Sequence, residues 1–217
     1  HMYAFVACDV VRRYLEHLGY RVTHVQNFTD IDDKIIARAA GEGTSADQVA
    51  ERNIAAYHEV ARALSIRPAH HYPRVTGHID DIVAMIGRLI TRGHAYAAGG
   101  DVYFRVRSWP RYGRLSGRDL EEMRSGVRVE VGDRKEDPLD FALWKRSRAG
   151  EPAWDSPWGR GRPGWHIECS AMATRYLGPH FDFHGGGRDL LFPHHENELA
   201  QSCCATGEAF VDHWLHN

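Results

Sequence analysis

Apolar positions recur at helical spacing over residues 3–20, through Phe5, Val6, Val10, Val11, Tyr14, Leu15 and Leu18. That period predicts an amphipathic helix, and Gly19 is suited to ending it. Residues 21–28, RVTHVQNF, alternate instead and predict a β-strand. Thr29 and the aspartates of TDIDDK follow at the strand's carboxyl end, the edge where open α/β sheets bind ligands. Three close aspartates invite a metal reading. The plainer reading, preferred for Asp32 and Asp33, is an acid-rich helix N-terminus favoured by the helix dipole. Residues 34–65 predict helix, with Ser45 and Gln48 as a capping signal and Val49, Ile54, Tyr57, Val60 and Leu64 as the apolar face. Pro68 and Pro73 interrupt it. A stripe of Ile79, Ile82, Met85, Ile86, Leu89 and Ile90 predicts a further helix over 79–91.

Residues 95–105 predict a hairpin turning at Gly99 and Gly100. Loops rich in Arg, Trp and Gly come next, and such clusters suit RNA backbone and stacking contacts or a solvated loop tied down by aromatics. A short apolar strand over 181–183 ends in His184 and three glycines. Pro193 is suited to the first turn of a helix reaching residue 205, and residues 210–217 predict entry to another strand.

The chemistry concentrates in residues 164–198, GWHIECSAMATRYLGPHFDFHGGGRDLLFPHHENE. His194 and Glu198 are four apart, so a helix beginning at Pro193 carries both on one face. With the thiolate of Cys169 they form a sulfur, nitrogen and oxygen set that zinc accepts. Without a metal, Cys169 reads as a small buried hydrophobe and the other two as solvated helix residues. The glycine run allows close backbone approach and positive φ at a phosphate or ribose. Asp189 just beyond it is suited to ribose hydroxyls, or to capping a helix after a tight turn. Cys8 reads as packing. The adjacent Cys203 and Cys204 cannot readily share one metal and read as buried or idle thiols.

With 217 residues the chain can bury a substantial core. A net charge of −2 gives no global sign of nucleic-acid binding, so an RNA site must be a local basic patch. Four irregularly placed cysteines do not form a disulfide framework, and no apolar run is long enough for a bilayer. The expectation is a cytoplasmic protein with reduced thiols and no membrane contact.

Several long segments in order, QNFTDIDDKI, GHAYAAGGDVYF, YGRLSG, DPLDFALWK, GWHIECSAM, FDFHGGGRDL and FPHHENE, resemble cysteinyl-tRNA synthetases of the class I aminoacyl-tRNA synthetase family. The resemblance implies an α/β fold, a Rossmann-like parallel sheet interrupted by a connective insertion. Residues 1–72 would be the first part of the nucleotide-binding fold without its first strand, 73–163 the insertion, and 164–217 the second part with the zinc site. It implies ATP-dependent activation of L-cysteine, through an adenylate, and transfer to tRNA(Cys).

The implied roles are as follows. Cys169, His194 and Glu198 bind one zinc ion, whose open position takes the substrate thiolate. Trp165 walls the pocket, unless it is a core tryptophan. His166 and His184 line the cysteine and adenylate site, or stand behind the ligands as partners. Thr29 contacts the amino acid, and Gly187 and Asp189 meet the adenosine ribose. His1 aligns with the second histidine of the family's His-Ile-Gly-His signature and would face the phosphates of ATP, which is used with Mg2+. His195 and Glu196 are left structural. The family's fourth zinc ligand, a cysteine, its Lys-Met-Ser-Lys-Ser loop and its anticodon-binding domain have no counterpart in this sequence. An internal fragment, monomeric and inactive alone, is therefore expected. Rival readings are a cysteine:glucosaminyl-inositol ligase, a non-catalytic zinc- or RNA-binding module, and a zinc hydrolase.

Overall fold

The computed structural model describes residues 2–120 and 134–217. Helix α1 (Met2–His17) ends where Gly19 takes φ +90°. Its helical spacing is as expected, but its burial is not. Asp9 is its one buried residue, while Tyr3, Val10, Tyr14 and Leu18 are exposed. Phe5, Val11 and Leu15 instead line a cleft.

The helix expected over 34–65 is two helices, α2 (Asp33–Glu42) and α3 (Ala46–Ala63). Gly43 divides them in the left-handed conformation at φ 64°. The Asp32 carboxylate caps α2 by accepting from the Ile35 amide at 2.6 Å. Asp33 stands in the first turn of α2, as an acid-rich helix start expects, and its carboxylate also pairs with Lys145 at 2.7 Å and Arg162 at 2.5 Å. The capping box of Ser45 and Gln48 is present at α3.

Helix α4 (Ile79–Thr91) has the expected bounds, and Ile82, Met85, Ile86 and Leu89 are fully buried. Strands β1 (Ala95–Ala98) and β2 (Asp101–Phe104) form the expected hairpin. Gly99 and Gly100 supply its turn with φ of 64° and 94°, a conformation open to glycine. Strands β3 (Phe141–Arg146) and β4 (Gly161–Pro163) complete an antiparallel sheet of order β1-β2-β3-β4. Helix α5 (Trp165–Leu177) leads to β5 (Phe181–Gly186), and α6 (Glu196–Thr206) to β6 (Val211–His216). One core cluster joins α4, the antiparallel sheet, α5 and α6.

The expected parallel sheet is only partly present among the described residues. Strands β5 and β6 pair in parallel, from Phe181↔Val211 to Gly186↔His216. Residues 21–28 are extended but make only isolated parallel bridges, Val25↔His71 and Phe28↔Arg74. The reason is the partner segment. The Gln26 amide donates to the His71 carbonyl at 3.0 Å and the Phe28 amide to the Pro73 carbonyl at 2.9 Å, but Pro73 has no N–H to give the Gln26 carbonyl, so the ladder is broken between the two bridges.

Two close approaches fix how the antiparallel sheet meets the helices. The Gly164 amide donates to Leu143 O at 2.8 Å, and a Cβ on Gly164 would overlap the Ala142 carbonyl. Glu196, fully buried at the start of α6, accepts from the amides of Gly113 at 2.9 Å and Ser116 at 2.8 Å. That holds the YGRLSG loop against α6, and Glu196 is structural, as expected. Glu196→Ala leaves two amides without their acceptor and is expected to cost about 1–3 kcal/mol, read as a lower urea midpoint at unchanged m-value. Gly164→Ala is expected to destabilise too, because its obstacle is backbone that cannot rotate aside.

Candidate metal centre and substrate cleft

An open cleft of about 1250 Å³ runs between α1, residues 20–29, the cleft face of α5 and strand β5. Thr29, Trp165, Cys169, His184, Gly187, Asp189, His194 and Glu198 all line it. His166 does not line it. Its Nδ1 lies 2.9 Å from Nδ1 of His194, so it stands behind that residue, the second of the two positions expected for it. His1 lies outside the described residues.

Cys169, His194 and Glu198 converge, with one ligand atom from each lying within 4.8 Å of the others. Helix α5 supplies the thiol. Leu191–His195 form a wide turn in which Phe192 alone leaves helical backbone, so helical φ/ψ begin at Pro193, as expected, and pass into regular α-helix at Glu196. The His194–Glu198 pairing survives because the turn re-enters helical backbone before Glu196. Nε2 of His194 is 2.9 Å from Oε1 of Glu198, and Nε2 of His184 is 3.3 Å from Oε2.

The electrostatics suit a cation. Burial works to raise the Glu198 carboxyl, but His184 and His194 outweigh it and hold the group well below the usual range. Burial, with Glu198 and Glu168 nearby, pushes the Cys169 thiol well up. Burial and neighbouring His194 also press the His166 imidazole down to about 3, which keeps it neutral. A half-buried thiol beside a buried carboxylate, with neutral imidazole at hand, is a donor set that a zinc ion fits, since the metal supplies the charge that favours thiolate. The Trp165 ring stacks on His194 at 4.3 Å between centroids and is 46% exposed, so it is no core tryptophan.

The glycine run is explained differently from expectation. Gly185, Gly186 and Gly187 are not among the positive-φ residues. A Cβ would meet Leu215 O at 3.2 Å from Gly185, Leu190 Cδ1 at 2.9 Å from Gly186, and the Asp189 carboxylate from Gly187. The protein's own side chains, Leu190 and Asp189, therefore occupy the space beside Gly186 and Gly187.

Four contributors escaped the sequence reading. Asn27 Nδ2 donates to the Cys169 sulfur at 3.5 Å, and the Thr29 hydroxyl donates to Glu168 at 3.1 Å. Gln201 ties α6 to α5 through Ser170 Oγ at 3.0 Å and His166 O at 3.1 Å. His195, left structural by sequence, bonds His216 at 2.7 Å and with His184 and Glu198 forms a second group of possible ligands. Alternation was the available signal for Asn27, which falls on one face of the segment with the already named Thr29. No helix among the described residues is long and apolar enough to cross a membrane.

The whole chain, residues 1–217, matches the family of tRNA synthetases class I (C), catalytic domain. A cysteine–tRNA ligase of Alkalilimnicola ehrlichii is 66% identical over 100% of this chain and 47% of its own length. One of Methylococcus capsulatus is 61% identical over the same shares, and one of Pyrococcus furiosus 56% identical over 100% of this chain and 45% of its own. The chain spans about half the length of these curated relatives. Its full-length match and these identities identify the chain as a member of the class I tRNA synthetase catalytic-domain family.

Proposed function

We propose that this chain is the amino-acid-activating part of a cysteine–tRNA ligase. The observation that carries this reading is the convergence of Cys169, His194 and Glu198 at the cleft, in a chain whose relatives bear that name. Those three residues would hold a zinc ion, which when bound supplies a soft Lewis acid that prefers a thiolate to an alcohol. Such a preference separates cysteine from serine, a difference an apolar pocket reads poorly.

The chain's own residues do the rest. His184 and His194 keep Glu198 ionised, and His166 orients His194 from behind. Trp165 walls the pocket and Thr29 meets the amino acid. Gly187 and Asp189 take the adenosine ribose, and His1 faces the phosphates of ATP, bound with Mg2+. The substrate carboxylate attacks the α-phosphate of ATP, pyrophosphate leaves, and the acyl group passes from the adenylate to the 3′ end of tRNA(Cys). Catalysis of this kind is mostly positioning and charge stabilisation.

In this reading residues 1–72 and 164–217 are the two parts of a Rossmann-like nucleotide-binding fold. Residues 73–163 are its connective insertion. The protein works as a cytoplasmic monomer. The name shared by the relatives favours tRNA over an amino-sugar as acceptor.

Elemental analysis is expected to find one zinc per chain, and Cys169→Ser to weaken zinc binding at least tenfold by calorimetric titration. Equal affinities would remove Cys169 from the site. The chain extended to the length of its relatives is expected to catalyse cysteine-dependent ATP–pyrophosphate exchange and to charge tRNA rather than glucosaminyl-inositol. Ester or amide turnover without ATP would favour a hydrolase instead.

A further inference from the structure

Glu168 has no role in the mechanism above, yet its environment is unusual. It is 1% exposed and is not among the residues that line the cleft. Among the described residues Thr29 is the only side chain hydrogen-bonded to it, and none forms a salt bridge with it. Its charged neighbours are Asp30 and Asp32, which are acids themselves. Burying a carboxyl group with one neutral hydrogen bond and no cation is unfavourable for folding. Such a group is a candidate for function.

The bond to Thr29 shows what that function is. Residues 27 and 29 share one face of the extended segment, and they meet adjacent residues of α5, Asn27 with Cys169 and Thr29 with Glu168. These two bonds set the register of the segment against the helix. Thr29 lines the cleft and Glu168 lies behind it. The Thr29 hydroxyl has one proton, and that proton is directed at Glu168 Oε2, 3.1 Å away. What the oxygen then offers the cleft is lone pairs only. An oxygen restricted to accepting selects a ligand that donates.

Resting on the cysteine-activating reading, we propose that Glu168 is a positioning residue. It holds the Thr29 hydroxyl as a pure acceptor for the α-ammonium of the amino acid and thereby excludes ligands that lack an amino group. The substrate's two ends are read from one strand face. The sulfur is taken beside Cys169, and the nitrogen at Thr29, one β-period of about 6.6 Å along the chain from Asn27.

Calorimetry on the zinc-loaded protein with L-cysteine and with 3-mercaptopropionate, its deamino analogue, tests this. Wild type is expected to prefer L-cysteine at least tenfold. Glu168→Ala and Thr29→Val are expected to bring the two ligands within about threefold. Glu168→Gln keeps an acceptor for the hydroxyl proton and Thr29→Ser keeps the hydroxyl, so both should retain the preference, and zinc content should be equal throughout. A purely structural role for Glu168 would weaken both ligands together and leave their ratio unchanged, which would overturn the proposal. If Glu168→Ala does not fold, Thr29→Val against Thr29→Ser and Glu168→Gln decide. Loss of the preference only in Thr29→Val supports the proposal. Its survival in Thr29→Val, or its loss in Glu168→Gln, defeats it. If wild type binds both thiols equally, the Glu168 proposal alone fails. If it binds neither, the cysteine-activating reading fails and takes the proposal with it.

Discussion

Glu198 is a carboxylate with no exposure to water, and the arrangement around it follows from that condition. Ionised acids are rarely left in such surroundings without partners, because desolvation costs several kcal/mol per ion. Its partners come from two directions, His184 from β5 and His194 from the turn before α6. Each must be held by its own element, so β5 and α6 have to keep a fixed relation. The β5–β6 pairing and the Gln201 bonds from α6 to α5 maintain it. The thiol of Cys169 then faces an acceptor set that is already assembled.

The antiparallel sheet contributes at a distance. It ends at Gly164, where β3 approaches the start of α5 so closely that no side chain fits. The helix bearing Trp165, Glu168 and Cys169 is thereby anchored at its first turn. Glu196 does the same for α6 by gripping the loop around Gly113. Two carboxylates two residues apart thus serve different ends, Glu196 bonded to backbone amides and Glu198 facing imidazoles.

Legibility in the sequence followed the range of the interaction. Helix α4, the capping box at Ser45 and the glycine hairpin were readable because their causes are local: a full apolar stripe, a side chain returning to its own helix, and a turn open to glycine. The segment 21–28 alternated correctly yet lacked a ladder, since alternation reports which face is buried and not which strand lies alongside. Pro73 in the partner segment decided the matter. In α1 the apolar period was real, but a period does not say what covers it. His194 and Glu198 were found through their spacing and Cys169 through its thiolate chemistry, and the resemblance favoured joining the three. Asn27 and Glu168 were missed because their partners lie about 140 residues away in sequence.

Of the six tryptophans, Trp165 alone is exposed, and it lies against His194 at the mouth of the cleft. Trp144 is sealed in the core beside Trp158. The protein therefore carries built-in optical reporters: Trp165, whose emission responds to whatever stacks on it or alters the imidazole beneath, and Trp214, which lies against His184 and His195 on the far side of the same histidine cluster, while Trp144 contributes light that neither solvent nor ligand reaches.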